Sequence, residues 1–250
     1  MLSSQPGRSE NYLEPLSVYW TFYREVAARQ LAAWLPAQPV RILDLSGTPA
    51  DSARQATIAG HDVIRVIPAG EGTGGRTADG VRAVVGDTAH LSFLAGTTVD
   101  AVIAEQLSSA LATESTVAEV ARVLRPGGRL LLRVDSLLLG MARLAQQQHW
   151  AVLSDAPSAE VLLVPSPDGS ITRCFWPAEL HELLNDAGLE PEWIRPRTVL
   201  SPSVVQRVLA EDPSAFDELV RTELSLPKNR ADESVGIHLL ASAKRAETPH

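Results

Sequence analysis

The sequence predicts an α/β fold built on a parallel sheet. Short, nearly continuous apolar runs recur at VRILDL (40–45), DVIRVI (62–67), VRAVV (81–85), VDAVIA (99–104) and RLLLRV (129–134). Such runs suit strands buried on both faces of a parallel sheet. Between them lie stretches of helical period, clearest at Val117, Val120, Ala121 and Leu124, spaced i, i+3, i+4, i+7. Strands that alternate with amphipathic helices give this fold class.

The elements follow in order. Residues 1–12 read as a loose tail. From Ser17 a helix runs toward Pro36, with Ser17 placed as N-cap. Val18, Phe22, Val26 and Ala33 lie near one stripe of it, and Tyr19, Trp20 and Tyr23 widen that stripe. This helix either packs its aromatics into the core or forms a lid over a pocket. A turn and a short helix follow the first strand, and a glycine-rich loop (68–80) follows the second. A short helix is expected from Thr88. The helix at 113–124 stops at RPGG, and 136–150 reads as one helix. A hairpin spans 161–176 with Asp168-Gly169 as its turn signal, then comes the helix 177–188 with Pro177 at its start and Gly188 at its stop. A helical stretch at 203–226 and a strand at 235–245 follow.

At 250 residues the chain is sized for one large domain. The expected division is an N-terminal tail and aromatic helix (1–37), an α/β domain (38–245) and a short tail (246–250). With 22 basic against 30 acidic residues the net charge is −8, which disfavours nucleic acid as a partner. The single cysteine, Cys174, excludes an internal disulfide and reads as a buried packing residue. No pattern of metal ligands is present, so no metal is expected. No apolar run is long enough for a membrane span, and the polar N-terminus lacks signal-peptide order. The expected location is cytoplasmic.

Three segments carry a family resemblance. VDAVIAEQLSSALATESTVAEVARVLRPGGRLLLRV, VVGDTAHLSF (84–93), and the stretch from the hairpin through PAELHELLNDAGLE to HLLASAKR resemble class I S-adenosylmethionine-dependent methyltransferases in order and spacing. The resemblance covers roughly 38–245 and implies a Rossmann-like sheet of about seven strands, helices on both faces and an antiparallel last strand. It also implies S-adenosylmethionine as cofactor, bound beyond the carboxyl ends of the strands against 45–48, 66–71, 87–88 and 105–106.

The cofactor positions depart from the family pattern. Asp44-Leu45-Ser46-Gly47-Thr48 stands in the first turn, with only Gly47 left of three glycines and Pro49 removing a backbone donor. Ile67 stands where the family places the acid that accepts from the ribose hydroxyls, and Glu71 in the following loop is a surrogate candidate. Asp87, followed by Thr88, matches the acceptor for the adenine amino group, and Glu105 follows the fourth strand. Substrate-lining candidates are Tyr12, Tyr19, Trp20, Tyr23 and Gln106, since aromatics stack on planar molecules. His90 and His149 are the candidate bases, while His181 reads as solvated and His238 as structural.

The resulting expectation is a methyltransferase acting on a small molecule, with a weakened cofactor site. The alternatives are a methyltransferase fold whose pocket serves another reaction, such as a cyclisation, and a non-catalytic partner subunit.

Overall fold

The computed structural model describes residues 17–47, 50–70, 72–77, 79–105, 113–156, 159, 161–166, 169–226 and 236–247. The expected Asp168 turn residue lies outside them, as do Tyr12, Thr48, Glu71 and Gln106.

The sheet is assembled around β1 (Arg41–Asp44), which pairs in parallel with β2 (Asp62–Ile67) and β5 (Val99–Ala104). Parallel pairing continues from β2 to β4 (Arg82–Val85) and from β5 to β6 (Leu124–Ser136). The last strand, β10 (His238–Arg245), lies antiparallel between β6 and β9 (Leu189–Pro196). The path is β3-β4-β2-β1-β5-β6-β10-β9, where β3 is the two-residue strand Gly75–Arg76. The hairpin of β7 (Leu162–Pro165) and β8 (Ile171–Phe175) joins the end of β6 through β8. The seven expected strands are therefore present, with β3 and the hairpin added.

Alternation along each strand sorts the core into two layers. Leu43, Val102, Leu130 and Leu132 face α3 (Thr113–Val123) and α6 (Pro177–Asp186), meeting Val117, Val120, Leu180 and Leu184. Ile42, Ala101, Ile103 and Leu131 face the opposite way, onto Leu31 and Trp34 of α1 (Ser17–Trp34) and Ala53 and Ala56 of α2 (Asp51–Ile58). Each fully buried leucine or valine here contributes about 1.5–3 kcal/mol. The first half of α1 packs elsewhere. Tyr19, Phe22, Tyr23 and Val26 join Val205 and Leu209 of α7 (Pro202–Glu211) and Val220 of α8 (Phe216–Ser225).

Four local expectations are corrected. The RPGG turn does not separate α3 from β6. Instead β6 starts at Leu124, and Arg125–Gly128 bulge out where the register with β5 shifts. A Cβ on Gly128 would sit 2.9 Å from the Arg125 carbonyl oxygen and 3.0 Å from that of Asp100, so only glycine lets the strands close. The expected helix at 136–150 is two, α4 (Leu137–Gln146) and α5 (Trp150–Asp155), broken where Gln148 takes φ 60°. The run Gln146-Gln147-Gln148-His149 offers no apolar residue to continue the buried stripe that ends at Leu144. The stretch at 203–226 is also two helices, parted at Asp212-Pro213, where Pro213 has no N–H to give and Asp212 accepts from the Ser214 amide. No helix starts at Thr88; residues 87–90 form a tight turn closed by an Asp87–His90 bridge.

Candidate functional site

A cleft of about 1010 Å³ opens at the carboxyl ends of β1, β5 and β6 and the amino end of the antiparallel β10. This is where a parallel sheet exposes side chains to a ligand. One wall is α1, contributing Trp20, Tyr23, Arg24 and Leu31; the opposite wall is the end of α4 with Ser166, Ser170 and Thr172 of the hairpin region. The floor carries Ser46, Glu105, Arg133, Asp135 and His238.

The first turn is held from within. Asp44, the last residue of β1, is buried and accepts from the Ser46 amide at 2.7 Å and the Ser52 hydroxyl at 2.6 Å. Burial pushes its pKa above the usual carboxylate range, and those hydrogen bonds pull it back. Ser46 Oγ accepts from the Glu105 amide at 3.1 Å, tying the turn to the end of β5. Gly47 takes φ 72°, open to glycine at little cost, and its carbonyl accepts from Arg65 at 2.6 Å.

Glu105 and Arg197 form the floor's deepest charge pair. Their closest atoms, Oε1 and Nη2, are 2.9 Å apart, with the Arg197 side chain wholly buried. The pair is a close charge contact that offsets the cost of burying both groups. Arg197 is also clamped by Gln30, whose Oε1 accepts from Nη1 at 3.2 Å and whose Nε2 donates to the Arg197 carbonyl at 3.0 Å. Arg133 Nε donates to the main-chain oxygen of Glu105.

Beside this pair runs a second chain of contacts. The Tyr23 hydroxyl lies 2.9 Å from His238 Nδ1, His238 Nε2 lies 3.5 Å from Asp135, and Asp135 accepts from Arg143 at 2.5 Å. Burial, with the guanidiniums of Arg133, Arg197 and Arg143, pushes the His238 pKa down to about 2, so the ring is neutral. Burial raises the Tyr23 phenol above its ordinary value.

Residues 28–132 match the methyltransferase domain family. That stretch, from the second half of α1 into β6, is similar to methyltransferase domains. The fold is shared with solved structures at low identity. One is the 1,6-didemethyltoxoflavin-N1-methyltransferase of Burkholderia thailandensis, solved with 1,6-didemethyltoxoflavin and S-adenosylhomocysteine (17% identity, 98% of this chain and 94% of that one, TM-score 0.52). Another is the geranyl diphosphate C-methyltransferase of Streptomyces coelicolor A3(2), solved with Mg2+, geranyl diphosphate and S-adenosyl-L-homocysteine (16% identity, 96% and 85%, TM-score 0.59). A third is an S-adenosylmethionine dependent methyltransferase of Mesorhizobium loti (18% identity, 88% and 98%, TM-score 0.53). No curated protein matches the chain.

Of the expected site residues, the structure brings Ser46, Glu105, Trp20 and Tyr23 together in the cleft. Asp44 lies directly beneath Ser46 as its support. Leu45 and Ile67 are buried, with Leu45 in the core layer facing α3, and Gly47 follows in the turn. Tyr19 does not line the cleft; it is buried against α7 and α8, with its hydroxyl 2.8 Å from Thr198 and its pKa pushed up to about 12 by burial. Asp87, Thr88 and His90 also lie outside the cleft. Asp87 accepts from the Ala89 amide at 2.9 Å and pairs with His90 at 3.1 Å, contacts that hold its carboxyl below the ordinary range. His149 is exposed at the start of α5, not at the end of a long helix, because the glutamine run breaks that helix. His181 is exposed beside Asn185, as expected.

Arg133, Asp135, Arg143 and Arg197 were not singled out from the sequence, and His238, read there as structural, lines the cleft. Arg133 and Asp135 sit at the carboxyl end of β6, so the rule that selected Glu105 also points to them. Nothing local marks His238, which lines the cleft, or Arg197, which is wholly buried against Glu105; both are placed there because β10 and β9 close the sheet. Among the described residues no group of His, Cys, Asp or Glu is placed to hold a metal ion, and no helix is long and apolar enough to cross a membrane.

Proposed function

We propose that this protein is an S-adenosylmethionine-dependent methyltransferase that acts on a small molecule and grips the cofactor mainly by its methionine end. The observation that carries this reading is the cleft at the carboxyl ends of β1, β5 and β6, where Ser46 of the first turn and Glu105 are tied together. The Glu105 carboxylate, which has further acceptor positions beyond its contact with Arg197, would accept from the cofactor's α-ammonium group. The turn at Leu45–Gly47, tied to Glu105 through Ser46, would hold the rest of the methionine part. At the ribose end the fit is poorer, because Ile67 cannot accept a hydrogen bond where the family has an acid. The bound cofactor supplies an electrophilic methyl group. The chain's own task is to place an acceptor in line with it and exclude water, a proximity effect. The cleft's volume of about 1010 Å³ exceeds what one drug-sized ligand fills, leaving room for an acceptor beside the cofactor.

Calorimetric titration with S-adenosylmethionine and S-adenosylhomocysteine tests the reading. Micromolar binding of both, weakened in Glu105→Ala, is the expected result. Asp87→Ala in the same titration asks whether Asp87 still serves the adenine although its carboxylate is engaged by its own turn. Absence of binding at millimolar cofactor would move the assignment to a pocket used for another reaction or to a non-catalytic subunit.

A further inference from the structure

The charges of the cleft leave two cations over among the described residues. Asp51 pairs with Arg54 at 3.1 Å, Glu105 with Arg197 at 2.9 Å and Asp135 with Arg143 at 2.5 Å, so each carboxylate lining the cleft already has a guanidinium. Asp44, below the floor, is satisfied by Ser46 and Ser52. Arg133 and Arg24 also line the cleft, and neither has a carboxylate partner among the described residues. Arg133 spends Nε on the Glu105 carbonyl, and its guanidinium lies beside the Tyr23 phenol.

We propose that Arg133 anchors an anionic group, a carboxylate or a phosphate, on a small acceptor whose flat apolar body lies against Trp20 and Tyr23 of α1. A guanidinium fork matches both oxyanions, and in a partly buried cleft such a contact is stronger than at the surface. Arg143 and Arg197 stand close enough to His238 to depress its protonation together with Arg133, so the positive potential there is shared by several groups. Arg24, exposed at the mouth on the same wall as Trp20, adds attraction for an incoming anion. Arg133 stands near the carboxyl end of β6, next to Glu105. The word acceptor rests on the methyltransferase reading above; the anion site does not.

The test is equilibrium binding of benzoate, phenyl phosphate and benzamide to the full chain, with S-adenosylhomocysteine titrated separately. Benzoate or phenyl phosphate is expected to bind about tenfold or more tightly than benzamide, the size of one charge-assisted contact. The stronger of the two anions identifies the headgroup. In Arg133→Gln this preference collapses while affinity for S-adenosylhomocysteine stays; Arg133→Lys, which keeps the charge and carries the test if the glutamine variant does not fold, retains part of it. Arg207→Gln, an exposed arginine on α7, leaves it unchanged. Equal binding of benzamide and the anions overturns the proposal, as does no binding of any. Parallel loss of anion and S-adenosylhomocysteine binding also overturns it, because Arg133 then serves the cofactor. Anion preference without S-adenosylhomocysteine binding keeps the anion site and removes the methyltransferase reading.

Discussion

The Tyr23 hydroxyl and His238 Nδ1, 2.9 Å apart, join the N-terminal helix to the last strand across 215 residues of sequence. Asp135 beside Nε2 favours the tautomer with Nε2–H, which leaves Nδ1 to accept from the phenol. The groups facing the ring are Tyr23 from α1, Arg133 and Asp135 from β6, Arg143 from α4 and Arg197 after β9.

Stability should fall with acid through this ring. In the unfolded chain the histidine titrates near its ordinary 6.5, while in the fold it stays neutral down to about 2. Between those values the unfolded state binds the extra proton, so stability declines as pH falls. The slope from one such group approaches about 1.4 kcal/mol per pH unit. His238→Asn should flatten urea-derived stability between pH 6.5 and 5 relative to wild type by up to about 2 kcal/mol. Identical slopes in the two proteins would show that the ring is protonated in the fold.

Arg197 and Glu105 predict a non-additive pair. Replacing Arg197 with methionine leaves a mostly buried carboxylate without a counter-charge and empties the Gln30 clamp. The expected cost is about 3 kcal/mol in denaturant unfolding. Glu105→Gln alone strands a wholly buried guanidinium and should also destabilise. The double variant should recover part of the loss, and simple additivity would mean that the two groups are not coupled.

The sheet was legible because its strands are local: each apolar run at 40–45, 62–67 and 99–104 is buried on both faces, which pattern alone reveals. Glu105 and the Asp44 turn were legible for the same reason, standing directly after such runs. The other half of the site depends on closure at a distance. His238, Arg197 and Tyr23 meet only when β10 inserts beside β6 and α1 folds back over its start, and no spacing in the chain encodes that meeting. Tyr19 and Tyr23 lie one helical turn apart with the same local pattern. What divides them is that α7 and α8 cover the first while the second reaches the cleft.

Asp44 predicts a graded effect by isostere. Asp44→Ala leaves the Ser46 amide and Ser52 hydroxyl without their acceptor in a buried place and should cost about 2 kcal/mol or more. Asp44→Asn keeps an oxygen for the Ser46 amide, and its NH₂ can donate to the Ser52 hydroxyl. It also removes a carboxylate that burial already disfavours. The asparagine variant should therefore be the more stable of the two by thermal unfolding. Equal losses would mean that the charge itself, and not the pair of hydrogen bonds, holds the turn.

Gly140 in α4 predicts a steric conflict with a partial cure. An alanine would ordinarily stabilise a helix interior by about 1 kcal/mol over glycine. Here the added Cβ would stand 2.8 Å from Cys174 Sγ and 2.9 Å from Leu162 Cδ2, closer than packed atoms approach. Overpacking of this kind costs about 1–3 kcal/mol, so the clash outweighs the propensity and Gly140→Ala should lower stability. The contact joins α4 to both strands of the hairpin, so the helix cannot move without dragging β7 and β8. Cys174 is wholly buried, with its thiol pushed up to about 12, and it acts there as an apolar filler. Cys174→Ala in the Gly140→Ala background removes the sulfur and should restore part of the loss, whereas alone it opens a small cavity and destabilises. Leu162 still blocks full recovery. A double-mutant cycle by urea unfolding should therefore show positive coupling, and zero coupling would show that α4 relaxes away from the hairpin without cost.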